Sequence, residues 1–576
     1  MDREILRHVL AVARGDAPAD LLFVGAKVAN VFTGEIAAAD VAVAHGYIAA
    51  VGHGYQGKKT VDCHGGCLVP GLIDSHVHIE SSMVSPEQFA RAVVPHGVTT
   101  VVADPHEIAN VAGRAGIRFM LQASAHLPLA VFINLPSCVP ATHLGTAGAV
   151  LEAEELAGLQ TLPRVLGLAE FMNVPGAVLG LPGAIDKLLA FAGSHIDGHA
   201  PGLTGKWLQA YIAAGPSTDH ESITVAEARE KVGLGMRVLL REGTAAKNLL
   251  DLLPAVSAEN AHCFAFCTDD RHPADLIDQG SIDHCVRLAV GAGLPPMTAI
   301  RMATINAAAI YGLSDRGAIA PGRLADLVLT PSLEHFQAEQ VYAAGRLVAE
   351  RGAPVGEWAV PEVDDAPVRG SVKISCETLS FAIPAGRGSL RVIGVVPDQI
   401  VTEERIMTPL VLNGEVLADP GRDLLKLAVV ERHTGKSRVG LGFVHGMGLK
   451  KGAIAGSVGH DCHNVTVAGT TDPDMLAAVA TVTKMGGGLA AVLDGAVIGQ
   501  VPLPIAGLMS DRPLELVRAQ MDQLLCKAGE LGSPLRDPFM HLGFLALEVI
   551  PKLKLTDQGL VDVDSFGFVP LWKTEG

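Results

Sequence analysis

His76-Val77-His78 carries the sharpest chemical signal in the chain. Side chains two apart on a strand share a face, so two imidazoles placed this way project together. Such a pair suits a borderline divalent metal. An H-x-H string alone is weak, since histidines fall two apart by chance. Here it follows Gly71-Leu72-Ile73-Asp74 at an expected strand end. Polar groups recur at the ends of other apolar runs: Asp104-Pro105-His106-Glu107, Glu170, His199, His220 and Asp269-Asp270. Each alone reads as readily as a helix cap or a satisfied surface group. Together they make an inventory for two metal ions. His76, His78, His199 and His220 divide into two pairs, Glu170 can bridge, and Asp269 can ligate one ion while touching a shared water. Two divalent ions about 3.5–4 Å apart hold and acidify water. A nearby aspartate is suited to take the proton.

These groups need elements that bring strand ends together. Eight apolar, strand-like runs occur at 68–76, 98–105, 129–136, 164–170, 194–199, 215–220, 236–243 and 261–270. Helical stretches lie between them, for example 85–97, 205–215 and 224–235. Repeated strand–helix alternation predicts an α/β fold, a parallel (β/α)8 TIM barrel with its active site at the C-terminal strand ends. The fifth and sixth runs are weak by propensity and are placed by the count and by their terminal residues. Residues 1–67 read as a helix and strands, and 316–360 as further short strands, the two halves of one small β domain split by the barrel at 68–315. An acidic, Pro-containing linker at 361–370 leads to a C-terminal α+β domain at 371–576.

Composition removes other classes. The 576 residues are 49% hydrophobic and 18% charged, which supports large cores and argues against disorder. A formal charge of -17 with no Lys/Arg run gives no electrostatic footprint for nucleic acid. Aromatics at 4% give no base-stacking platform. Apolar runs stay short of a membrane span, and the charged N-terminus lacks signal-peptide character. A cytoplasmic protein without a membrane partner is expected. Nine scattered cysteines fit a reducing compartment. The C-x3-C spacing of Cys63/Cys67 and Cys263/Cys267 fits buried core positions, with a thiolate zinc site as the alternative. His460-Asp461-Cys462-His463-Asn464 leaves three readings open: a second metal site, a loop reaching the barrel mouth, or local hydrogen bonding. The Gly-rich 440–452 stretch lacks the phosphate-loop pattern. Ser82, Met83, Phe171 and Met172 are candidate substrate contacts, an apolar wall for a flat ring, with ordinary packing as the alternative.

The strings GLIDSHVHIESSM (71–83), PHGVTTVVADPHEIANV (95–111), LAEFMNVPG (168–176), IDGHAPG (196–202), STDHE (217–221) and CTDDRHP (267–273) resemble the adenine deaminase branch of the amidohydrolase superfamily. The likeness continues at 395–404, 440–465 and 503–511 and so spans nearly the whole chain. Many relatives in that superfamily bridge two metals with a carboxylated lysine; Glu170 stands at the matching position. That disfavours a dihydroorotase- or hydantoinase-like hydrolase, the main alternative, followed by a non-catalytic metal-binding relative. His78-Ile79-Glu80 is an H-x-E string without a following P-C-x-x-C, so the cytidine-type zinc deaminase is not indicated. The resemblance implies hydrolysis of adenine to hypoxanthine and ammonia, in purine salvage, with two divalent ions. Manganese or iron is implied, and zinc suits the same donors. It implies free adenine rather than adenosine as substrate and a homo-oligomer, a dimer or larger. It assigns the metals to His76, His78, Glu170, His199, His220 and Asp269. Proton transfer falls to Asp269, Glu170 and His106, with Asp269 preferred over Asp270 because only one of two neighbours can face the centre.

Overall fold

A computed structural model describes residues 1–574 except Pro361 and Asp398. Pro361 heads the expected linker, Asp398 lies in the 395–404 motif, and Glu575 and Gly576 end the expected C-terminal unit; all four fall outside the described residues.

The strands Leu72–His78 and Val98–Ala103 are buried at every position. Runs of this kind require cover on both faces, which parallel strands with crossover helices provide. They belong to a six-stranded parallel sheet ordered His195–Gly198, Val165–Phe171, Ala130–Leu135, Val98–Ala103, Leu72–His78, Asp269–Asp270. A second parallel arc holds Thr218–Asp219, Arg237–Arg241 and Phe264–Cys267. Thr268 alone separates Phe264–Cys267 from Asp269–Asp270, so the chain itself joins the two arcs at one edge. At the other edge the Ser217 amide donates to the Ile196 carbonyl at 2.9 Å. The helices Pro86–Val93, Gly205–Ala213 and Val225–Gly233 lie in the connections.

Two expected strands are divided. The 68–76 run is not one strand: Cys67–Pro70 pairs antiparallel with Leu327–Thr330, and Leu72–His78 starts the parallel sheet and runs on to His78. Gly71 makes the junction, where any Cβ would collide with the Thr99 side chain. The 261–270 run is broken at Thr268, and Asp269 adopts φ +57°. That left-handed conformation is uncommon outside glycine and turns the strand end.

Cys67–Pro70 shares a nine-stranded sheet with Leu21–Ala29, Ile36–Ala44 and Tyr47–Gly52 from before the parallel region, and with Leu327–Thr330, Gln340–Ala343 and Arg346–Glu350 from after it. Residues 389–502 supply eight strands of a second, mainly antiparallel sheet, whose Asp472–Met485 helix packs on four of its strands. Its apolar residues Ile454, Leu489 and Val501 join one core cluster with Met83, Val84 and Phe89 of the parallel region. The Ser510 amide donates to the Met83 carbonyl at 2.8 Å, fixing that contact beside the His78 strand end. All nine cysteines are free; Cys63, Cys67 and Cys267 sit within apolar core clusters. Among the described residues no helix is long and apolar enough to cross a membrane.

Candidate metal centre

The parallel strands deliver their terminal side chains to one place. Glu170, second to last in its strand, presents Oε2 at 2.7 Å from His199 Nδ1 and 3.1 Å from His220 Nε2. Its other oxygen lies 3.3 Å from His106 Nδ1 and 3.6 Å from His78 Nε2. One carboxylate therefore stands between two histidine groups. Asp269 Oδ1 lies 3.0 Å from His78 Nε2 and 3.5 Å from His76 Nε2. The His76 ring stacks on His220 at 4.1 Å between centroids. Every group named here is buried except His199, which is half-buried.

The residues suit a cation. The Nε2 atoms of His76 and His78 converge to 3.2 Å. His78 Nδ1 faces the Asp104 backbone carbonyl at 2.9 Å. A ring that donates there through Nδ1–H keeps its Nε2 lone pair for the cluster, the arrangement that orients metal-binding imidazoles. Ligand atoms of His76, His78 and Asp269, and of His76, Glu170 and His220, lie within 4.8 Å of one another. The donors are nitrogen and oxygen without thiolate, which suits manganese, iron or zinc.

Electrostatics follow from this crowding. Burial favours the neutral form of Glu170, but His199 and His220 outweigh it and hold the carboxyl well below its usual range. Burial likewise opposes ionisation of Asp269, and Arg241, His76 and His78 override it. Arg241 NH1 donates to Asp269 Oδ2 at 2.8 Å and NH2 to Glu221 Oε2 at 3.0 Å. This buried guanidinium fixes the aspartate and keeps it an anion. Strand patterning does not single it out; a cation at the end of the apolar 236–243 run is the signal that could have. Asp74 accepts from the Thr268 amide at 3.1 Å and from its hydroxyl at 2.5 Å, anchoring the turn that aims Asp269 inward. Asp270, half-buried, instead accepts from Ser81 Oγ.

The remaining sequence candidates fall in different places. His106 lies against the cluster, 3.1 Å from Asp104 Oδ2 and edge-on to His78. Ser82 Oγ donates to the Ile79 carbonyl at 2.5 Å. Phe171 points into the core, as alternation from Glu170 requires. Met172 is half-buried beyond the strand end. Met83 lines a small cavity of about 30 Å³ with Glu80, Ser81, Asp270, His460 and Phe544.

His460 and His463 come from the C-terminal sheet, on the loop between Ala453–Gly456 and Val465–Gly469. His460 Nδ1 lies 2.5 Å from Glu107 Oε1, and His463 Nε2 contacts the other Glu107 oxygen. The loop is thus clasped to the strand-end region beside His106. Burial opposes its charge, yet His460 and His463 hold the Glu107 carboxyl well below its usual range. In the sequence Glu107 stands out only as part of a strand-end motif, since its partners lie more than three hundred residues away.

The adenine deaminase C-terminal domain profile matches residues 399–567, including this loop, and the amidohydrolase family profile matches 67–348. An adenine deaminase of Desulfatibacillum aliphaticivorans is 52% identical over 572 residues, covering 98% of this chain and 99% of the relative. The chain belongs to the adenine deaminase family. "Adenine deaminase 2" of Carboxydothermus hydrogenoformans is also 52% identical, over 568 residues with 98% and 99% covered. Among solved structures, atrazine chlorohydrolase TrzN of Arthrobacter aurescens TC1 aligns over 58% of this chain and 96% of its own. Its TM-score of 0.46 and identity of 17% are too low to bear on an adenine deaminase site.

Proposed function

We propose that this chain is an adenine deaminase: it hydrolyses adenine to hypoxanthine and ammonia at the strand ends of a (β/α)8 barrel, with two divalent metal ions. Full-length kinship to adenine deaminases supports the reaction. The position of Glu170 between two histidine groups is the observation that carries the site. His76, His78, His199, His220, Glu170 and Asp269 would hold the ions, manganese or iron by family resemblance. When bound, such ions act as Lewis acids that make a hydroxide nucleophile available at neutral pH.

The protein's own groups move the protons. Overall, a C6–O bond forms, the C6–N bond to the amino group breaks, and water's two hydrogens end on the ring and on ammonia. Asp269, held as an anion by Arg241 and aimed inward, accepts the proton of the attacking water. His106 flanks the site and donates a hydrogen bond to the incoming oxygen. Its Nδ1 lies 3.1 Å from Asp104 Oδ2, which fixes the ring for that role. Glu170, next to His106, takes part in delivering a proton to N1 of the ring.

The C-terminal loop is clasped to Glu107 beside the site. Family resemblance makes free adenine the substrate and excludes a ribose at N9. Steady-state ammonia release is expected to give a kcat/KM for adenine far above that for adenosine. Comparable values for the two would contradict this reading.

A further inference from the structure

The C-terminal loop brings a carboxyl group into the site that no role above uses. Asp461 is 4% exposed, and its Oδ2 has no hydrogen-bond partner. Its Oδ1 lies 4.0 Å from His106 Nε2, on the side of that ring away from Asp104. Buried acceptors without partners are rare in native proteins and point to a missing donor. Glu80 also has a buried oxygen without a partner, but its other oxygen accepts from the Ile108 amide; two further acids nearby are committed. Both Glu107 oxygens are taken by His460 and His463, and Asp269 is held by Arg241. Asp104 also has a free oxygen, but its carboxyl is anchored to His106 Nδ1 through the other one.

Building on the adenine reading, we propose that Asp461 is a further catalytic residue, which accepts an N–H of the purine 6-amino group and holds the nitrogen as it departs as ammonia. The placement follows from His106. The reacting C6 must sit beside His106 and Glu170, so a carboxyl 4.0 Å beyond His106 is within reach of the substituents on C6. The imidazole end of the purine lies a full ring further away. The amino group has two N–H donors that lose water on entering the closed site, and an unmatched buried donor is costly. As the C6–N bond breaks, the nitrogen takes the proton that Asp269 accepted from the attacking water and gains positive character, which a nearby carboxylate stabilises. The clasp of His460 and His463 on Glu107 then gains a purpose. It fixes the two flanks of Asp461, so the C-terminal domain completes the active site rather than merely covering it.

The test uses the full-length, metal-loaded protein and the variants Asp461→Ala and Asp461→Asn. Three quantities are read: kcat/KM for adenine, the inhibition constant of unsubstituted purine, and bound metal. Asp461→Ala is expected to lower kcat/KM by about 10²-fold. Asp461→Asn keeps an acceptor without the charge and should fall between Ala and wild type. Purine lacks the amino group, so its inhibition constant should stay within about threefold, and metal content should not change. A loss under about fivefold in Asp461→Ala, a purine constant that rises in step with the loss, or a loss of metal would each overturn the role. Wild-type protein that releases no ammonia from adenine would instead refute the proposed function itself.

Discussion

Asp269→Asn is expected to retain its metal and lose roughly 10²–10⁴ in turnover, the usual worth of general acid–base catalysis. The side chain keeps its shape, and an amide oxygen retains some capacity as a ligand. With that oxygen turned toward the histidines, as Asp269 Oδ1 is, the amide NH2 faces Arg241, so the 2.8 Å hydrogen bond from Arg241 to Oδ2 is lost. Four histidines and Glu170 remain to hold the ions. What disappears is a buried anion able to accept a proton, because an amide cannot. The group acts mainly in the transition state, so kcat and kcat/KM should fall alike. A variant that loses its metals, or one whose KM alone changes, would show that Asp269 is chiefly a ligand.

Glu170→Gln should behave differently, with bound metal and activity falling together. Both Glu170 oxygens face imidazoles, at distances of 2.7 to 3.6 Å. Replacing one of them with an NH2 group turns a donor toward the site where a cation is to be held. The change also removes the negative charge that offsets two divalent ions and, without them, the charges on His199 and His220. Metal analysis should show the loss of at least one ion per chain. Glu170→Gln that retains both metals would reverse the roles assigned to the two carboxylates.

The centre was legible wherever local pattern decides geometry. Strand alternation placed His76 and His78 on one face, and the apolar runs placed Glu170, His220 and Asp269 at strand ends that converge on one place. Family resemblance, more than propensity, singled out Asp269 from Asp270. The structure turns Asp269 to the histidines and Asp270 to Ser81 through a left-handed residue that no periodicity announces. Features created by distant packing stayed hidden. Arg241 and Asp269 meet only because their strand ends lie side by side, and Glu107 meets His460 across the whole fold. The break at Gly71 was hidden for another reason: an unbroken apolar run looks the same whether it serves one sheet or two. Among the substrate candidates, Ser82 and Phe171 belonged to residue types that pack and hydrogen-bond locally as readily as they bind rings, and here they do so.

The most direct test of the account is ammonia release from adenine by metal-stripped protein titrated with Mn²⁺ or Fe²⁺. Activity should be absent without metal, rise with loading, and level off at two ions per chain. Full deamination by protein shown to be metal-free, or no ammonia from adenine at saturating metal, would contradict it.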